Sequence, residues 1–204
     1  MKHLKNAVWY HGTNGQKFPS WLFPTPARPN EPLLFQLTAV YLTTDLNFAK
    51  QAGSNIAEAN VLNTRGVLDL VNDQQGAEKL RVQLNNRDLY KYSETTKAGN
   101  WRKGCKTGDC AIYTFTHPDI HQVIVKRAAE LHRDVPQLTA SQAMTVQLHN
   151  MKRAHIETMC IEAKKLGYSG MFFHEADNHT TPGTTIAQPV LAVFRNGVIS
   201  QPIW

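Results

Sequence analysis

With 204 residues, 42% of them apolar and 19% charged, the chain can bury ~70% of the surface it exposes when unfolded, so no disulfide or metal is needed to hold a core. No stretch approaches the roughly 18 apolar residues of a membrane span, and an odd number of cysteines (Cys105, Cys110, Cys160) argues against a disulfide framework. The net charge of +6 and pI near 9.3 favour phosphate-rich partners over a membrane interior.

Much of the positive excess falls between Lys79 and Lys106 and between Lys126 and Lys165. A surface that meets nucleic acid or a pyrophosphate and a solvated set of helix faces both account for it. Four residues separate Cys105 from Cys110 (CKTGDC), and no second pair or nearby His pair completes a zinc site. The expectation is no metal, and a polar loop carrying two incidental thiols. The N-terminal MKHLKNAVWYHG has no apolar core or small-residue cleavage site, so a cytoplasmic protein is expected, with a delivered toxin as the exception. Without repeats or linker-like runs, residues 1–204 read as a single domain.

In chain order, residues 7–11 have the β-branched and aromatic content of a strand, closed by a turn-forming Gly12-Thr13-Asn14-Gly15. Five prolines between Pro19 and Pro32 lack the N–H a helix or ladder needs, which predicts a loop. Residues 37–43 (LTAVYLT) predict a buried strand, and Thr44 or Asp45 caps a short helix LNFAKQAG that ends at Gly53. Residues 67–71 predict another strand, 75–84 a helix, and the polar, basic stretch 89–114 mostly loop.

Pro118 follows Thr116 and His117 as a first-turn proline follows its cap. Ile120, Val123, Ile124 and Leu131, with the stem of Arg127, then mark a helix face, a strand through 123–125 being the alternative. A long helix is expected over 139–166, with Met144, Leu148, Met151, Met159, Ala163 and Leu166 inward and Gly167 as its stop. Two strands, 170–174 and 190–194, close the chain around a polar loop at 175–189.

Three pieces far apart in the chain stand at predicted strands: YHGT (Tyr10 to Thr13), VYLTTDLNFA (Val40 to Ala49) and AQPVLAVF (Ala187 to Phe194). In these the chain resembles the ADP-ribosyltransferase superfamily, in the branch shared by poly-ADP-ribose polymerases and diphtheria toxin. That branch carries a His, a Tyr and a Glu on three separate strands. His11 matches the first position, Tyr41 the second, and GYSGMFF resembles the run that precedes the last motif. The resemblance is spread over most of the chain but rests on few identities, and residues 73–159 read as an unmatched helical and loop insertion.

The resemblance implies an α+β fold, a split β-sandwich core with peripheral helices, and NAD⁺ as co-substrate. It implies cleavage of the nicotinamide–ribose bond and transfer of ADP-ribose to a macromolecular acceptor, protein or nucleic acid. For a toxin-like chain an inhibitory partner protein belongs to the same expectation. The Gly12 backbone would bind the nicotinamide amide, Tyr41 would stack on the ring, His11 and Thr13 would hold the adenosine-side ribose, and Phe48 would line the same site. Such a site must hold the leaving ring and stabilise a cationic sugar as it develops.

At the third position Gln188 stands where the family usually has glutamate. An amide still accepts a hydrogen bond from the ribose 2′-OH, but losing one well-placed charge typically costs ~10²- to 10³-fold in rate. Mono-ADP-ribosylation is then expected rather than chain elongation, with Glu175 as the rival carboxylate. His11 as a satisfied strand-end histidine, Tyr41 as a core aromatic and Gly12-Thr13 as a plain turn remain open readings. The alternative function is a non-catalytic module that binds a nucleotide or nucleic acid. An RNA 2′-phosphotransferase ranks below both, since its extra N-terminal lobe and basic tetrad are missing.

Overall fold

The computed structural model describes residues 1–24, 37–112, 118–177 and 186–204. Helix α1 (Lys2–Lys5) leads into β1 (Val8–Thr13), followed by β2 (Val40–Thr43), α2 (Leu46–Gln51), β3 (Asn55–Asn60) and β4 (Val67–Asp69). Then come α3 (Gln74–Asn85), a 3₁₀ turn at Asp88–Tyr92, α4 (Ala98–Thr107), a second 3₁₀ turn at Asp109–Ala111, α5 (Pro118–Asp134) and α6 (Ala140–Lys165). Strands β5 (Gly170–Asp177) and β6 (Ile186–Val193) complete a six-stranded sheet ordered β3-β1-β2-β6-β5-β4. All neighbours are antiparallel except β4 and β5. A mixed sheet with its helices gathered mainly in the middle of the chain is an α+β architecture.

Side chains alternate across a strand, so each strand feeds two cores. On one face Trp9, Val40, Leu42, Phe172, Leu191 and Val193 pack with Trp21 and the C-terminal Val198 and Ile199. The tail closes that face through Trp21 Nε1–H donating to the Ser200 carbonyl (2.8 Å) and Trp204 Nε1–H donating to the Phe18 carbonyl (2.8 Å). On the other face Met171, Phe173, Val190 and Ala192 meet Leu80 and Leu84 of α3, Trp101 and Cys105 of α4, and Ile156, Met159 and Cys160 of α6. We call these the tail face and the helical face.

Several expectations change. Residues 89–114 are not mostly loop: Trp101, Gly104 and Cys105 form a buried stripe at helical spacing, and Gly108, at φ 89°, ends α4 with a left-handed cap. Cys105 and Cys110 are therefore core residues, 3% and 0% exposed, not loop thiols. Strand β3 was not expected, because its inward positions are only Ala57 and Ala59. The second strand is shorter than the stretch 37–43, and β1 runs on through Gly12 and Thr13, which pair with Ile56 and Asn55 instead of turning.

The closing hairpin reaches further into the polar stretch 175–189, with Glu175 opposite Gln188 and Asp177 opposite Ile186. On the long helix, capped by Thr139 and Gln142, Leu148 and Leu166 are exposed while His155, Glu157 and Glu162 are buried. Val123 of α5 is likewise exposed, and Ile124 and Ala128 face inward. The caps expected at Thr116 and His117, and most of the proline-rich loop, lie outside the described residues.

Among the described residues Ser93 Oγ, Thr96 Oγ1 and Asn150 Nδ2 are buried without a hydrogen-bond partner, whereas the buried His155 has both ring nitrogens paired, as burial demands. His155 Nε2–H donates to the Cys110 carbonyl (2.7 Å), which leaves Nδ1 to accept from the Tyr90 hydroxyl (2.6 Å). Burial pushes its pKa down to about 4, against the opposing pull of the Cys110 bond. In the unfolded chain the ring titrates near ~6.5, so protonation favours unfolding. Stability from this group is complete above that value and is lost as pH falls towards 4, by ~3 kcal/mol in all. Urea midpoints measured from pH 7 to 4.5 should fall with this slope in the native chain and more shallowly in His155→Gln; equal slopes would contradict a neutral buried imidazole.

Candidate functional site

His11, Tyr41 and Gln188 stand on β1, β2 and β6, three successive strands of the sheet. Strand β1 pairs with β3 from Val8 to Thr13, yet its register with β2 consists of Tyr10 opposite Thr43. Beyond that point β1 and β2 part. In the opening His11 Nδ1–H donates to the Tyr41 main-chain carbonyl at 2.8 Å, a side-chain bond in place of the missing ladder bond. The imidazole itself turns to the tail face, edge-on to Trp21 (5.5 Å between centroids) and Phe18 (6.2 Å).

Tyr41 projects the opposite way, packed against the helical core. Its hydroxyl donates to Glu157 Oε2 (3.2 Å), which leaves the Cys160 thiol, 3.5 Å away, to donate to the phenol oxygen. Glu157 Oε1 accepts from the Thr38 N–H at 2.7 Å, and the Arg153 guanidinium lies 6.0 Å from the centre of the Tyr41 ring. Arg153, Glu157 and Cys160 are spaced to share one stripe of α6. Burial, then the neighbouring Cys160 and Glu157, hold the phenol well above the usual tyrosine range, and Arg153 acts weakly against them. Tyr41 is thus a neutral, hydrogen-bonded aromatic.

Gln188 and Glu175 are direct cross-strand partners, 8% and 5% exposed, so their Cβ atoms stand about 4.5–5.5 Å apart on one face. Lys152 of α6 reaches Glu175 Oε1 at 2.9 Å. The Gln188 amide makes no hydrogen bond among the described residues. Tyr41 lies opposite Ala192, four positions from Gln188 along β6, which is ~13 Å at the rise of a strand. Gln188, Glu175 and Tyr41 share the helical face; the His11 ring does not.

The other sequence candidates have structural duties. A Cβ on Gly12 would sit 1.8 Å from the Ala49 carbonyl oxygen, so α2 can pack on β1 only over a glycine. Thr13 Oγ1 accepts from the Gly15 N–H at 3.0 Å, and Phe48 packs against the helical core beside the Asp45 cap. Sequence reasoning missed Glu157, Lys152 and Arg153. Their one signal was charge interleaved with the apolar face of a long helix.

Among the described residues, no group of His, Cys, Asp and Glu is placed to hold a metal ion, and no helix is long and apolar enough to cross a membrane. Residues 178–185 of the polar loop expected between the last two strands lie outside the described residues. No protein-family model, curated protein or solved structure matches the chain. Its function has to be argued from its own residues.

Two substitutions probe the geometry. Lys152→Met leaves the Glu175 carboxylate buried without its cation, so unfolding free energy should drop by ~3 kcal/mol, and Glu175→Gln in the same chain should restore most of it. Gly12→Ala should cost about 1–3 kcal/mol by forcing α2 away from β1. Denaturant melts of the variants check both; an unchanged midpoint for Lys152→Met would break the assigned pair.

Proposed function

We propose that the chain binds NAD⁺ and transfers its ADP-ribose to a macromolecular acceptor, as a mono-ADP-ribosyltransferase. The observation that carries this reading is the sheet order: three motifs chosen from distant parts of the sequence lie on adjacent strands β1, β2 and β6. In this reading the Tyr41 ring holds the nicotinamide and the Gly12 main chain at the strand parting meets its amide. Gln188 Oε1 accepts from the nicotinamide ribose 2′-OH.

As the glycosidic bond breaks, positive charge develops on the ribose. Glu175, beside Gln188, is the carboxylate nearest that charge, its own charge balanced by Lys152, in surroundings that exclude most water. His11 then acts as a brace on β2, fixing the Tyr41 main chain rather than touching the dinucleotide. The ADP-ribosyltransferase split sandwich belongs to this same proposal, with the β1–β2 parting as the feature that suits it. So does action in a cytoplasm, that of a host if the protein is delivered. The positive net charge favours a nucleic acid or an acidic protein surface as acceptor.

A second reading, a module that binds a nucleotide without turnover, is favoured by the missing glutamate and by the His11 ring facing away. Incubation with labelled NAD⁺ and separate pools of protein, DNA and RNA decides between them. The enzyme reading expects nicotinamide release with labelling of one pool, loss of both in Tyr41→Ala, and a gain of ~10²-fold in Gln188→Glu. Calorimetric binding of NAD⁺ with no release over hours selects the second reading; absence of NAD⁺ binding removes the enzyme reading and leaves only a module for another nucleotide or a nucleic acid.

A further inference from the structure

Where β4 ends, between α3 and α4, lies a cavity of about 500 Å³ that contains none of His11, Tyr41 or Gln188. Its size is that of a small-molecule site. The floor is apolar and fixed: Leu70, Ala77, Trp101 and Cys105 are each at most 5% exposed, and Trp101 Nε1–H donates to the Ala77 carbonyl at 2.9 Å, tying α4 to α3. The rim is cationic. Arg102, Lys103 and Lys106 line it, all three exposed and, among the described residues, none in an ion pair.

The one carboxylate in the lining, Glu78, is already held by Arg81 through bonds of 2.8 and 2.5 Å. Glu78 also feels the nearby Arg102, so one carboxylate shared with Arg81 faces three rim cations over an apolar floor. Like charges gathered at one cavity mouth repel one another unless an anion joins them. A single carboxylate would neutralise one of the three, and inorganic phosphate would leave the floor uncovered.

We propose that this cavity binds an organic phosphate of mononucleotide size: a phosphomonoester held by Arg102, Lys103 and Lys106, with a flat ring body laid on the floor. Arginine suits the phosphate because its planar fork gives paired hydrogen bonds, while the two lysines add point charges. The Gln74 amide, also in the lining, supplies a donor and an acceptor for the polar edge of the ring. The phosphate belongs to a free nucleotide or to the 5′ end of a nucleic acid strand. The site stands independently of the NAD⁺ reading.

Calorimetry on the full chain tests it with AMP, adenosine, inorganic phosphate, and a single-stranded trinucleotide with and without its 5′-phosphate. AMP should bind at least about tenfold more tightly than adenosine or inorganic phosphate, more weakly as salt is raised, and at least about tenfold more weakly in Arg102→Glu/Lys106→Glu. Both substituted residues are exposed, and an unchanged circular dichroism spectrum certifies the fold. Tyr41→Ala should bind AMP as the native chain does, which separates this site from the proposed NAD⁺ site. If the phosphorylated trinucleotide alone binds, and loses affinity in the double variant, the ligand is a strand terminus. No preference for either phosphorylated ligand over its unphosphorylated form, or affinity unchanged by the charge reversal, overturns the proposal.

Discussion

Helix α6 is held against the sheet by polar contacts that burial makes obligatory. Lys152 meets Glu175 of β5, and Glu157 takes hydrogen bonds from the Tyr41 hydroxyl and the Thr38 N–H. His155 ties the same helix to the Tyr90 hydroxyl and the Cys110 carbonyl, and Glu162 meets Arg87. An unpaired buried charge costs several kcal/mol, so the helix can neither rotate nor slide without orphaning one of these groups. That constraint sets the position of Tyr41, of Glu175, and through the β-ladder of Gln188.

The sheet gives its two faces different work. The tail face is hydrophobic and aromatic, sealed by the C-terminal residues, and it takes the His11 ring. The helical face carries Tyr41, Glu175 and the charged residues of α6 that meet them. The bond from His11 to the Tyr41 carbonyl passes between them, where β1 and β2 separate. A histidine there spans the gap in a way a backbone ladder cannot, which gives it a reason to stand beside Gly12 whether or not a ligand is bound.

The fold was legible where one residue class dominated its neighbourhood. The strand around Tyr41, the Asp45 cap and the long helix from Thr139 follow from apolar runs and capping chemistry alone. Strand β3 escaped because alanine favours helix over strand, and only pairing with β1 makes Ala57 and Ala59 a buried face. Helix α4 escaped because lysines and glycines hide a stripe as narrow as Trp101 and Cys105. The candidate site was legible as three strand positions. Which face each side chain takes was not, because that depends on a register fixed by tertiary pairing. The carboxylates Glu157 and Glu175 emerged only once α6 and β5 were set against β2 and β6.

The central claim is that Tyr41, Gln188 and Glu175 surround the nicotinamide end of a dinucleotide. A crystal structure of the chain soaked with a non-hydrolysable NAD⁺ analogue measures this most directly. The account predicts the nicotinamide ring against Tyr41 and its ribose hydroxyl within hydrogen-bond distance of Gln188. A dinucleotide seated elsewhere, for instance over Trp101 with its phosphates on Arg102 and Lys106, would contradict it.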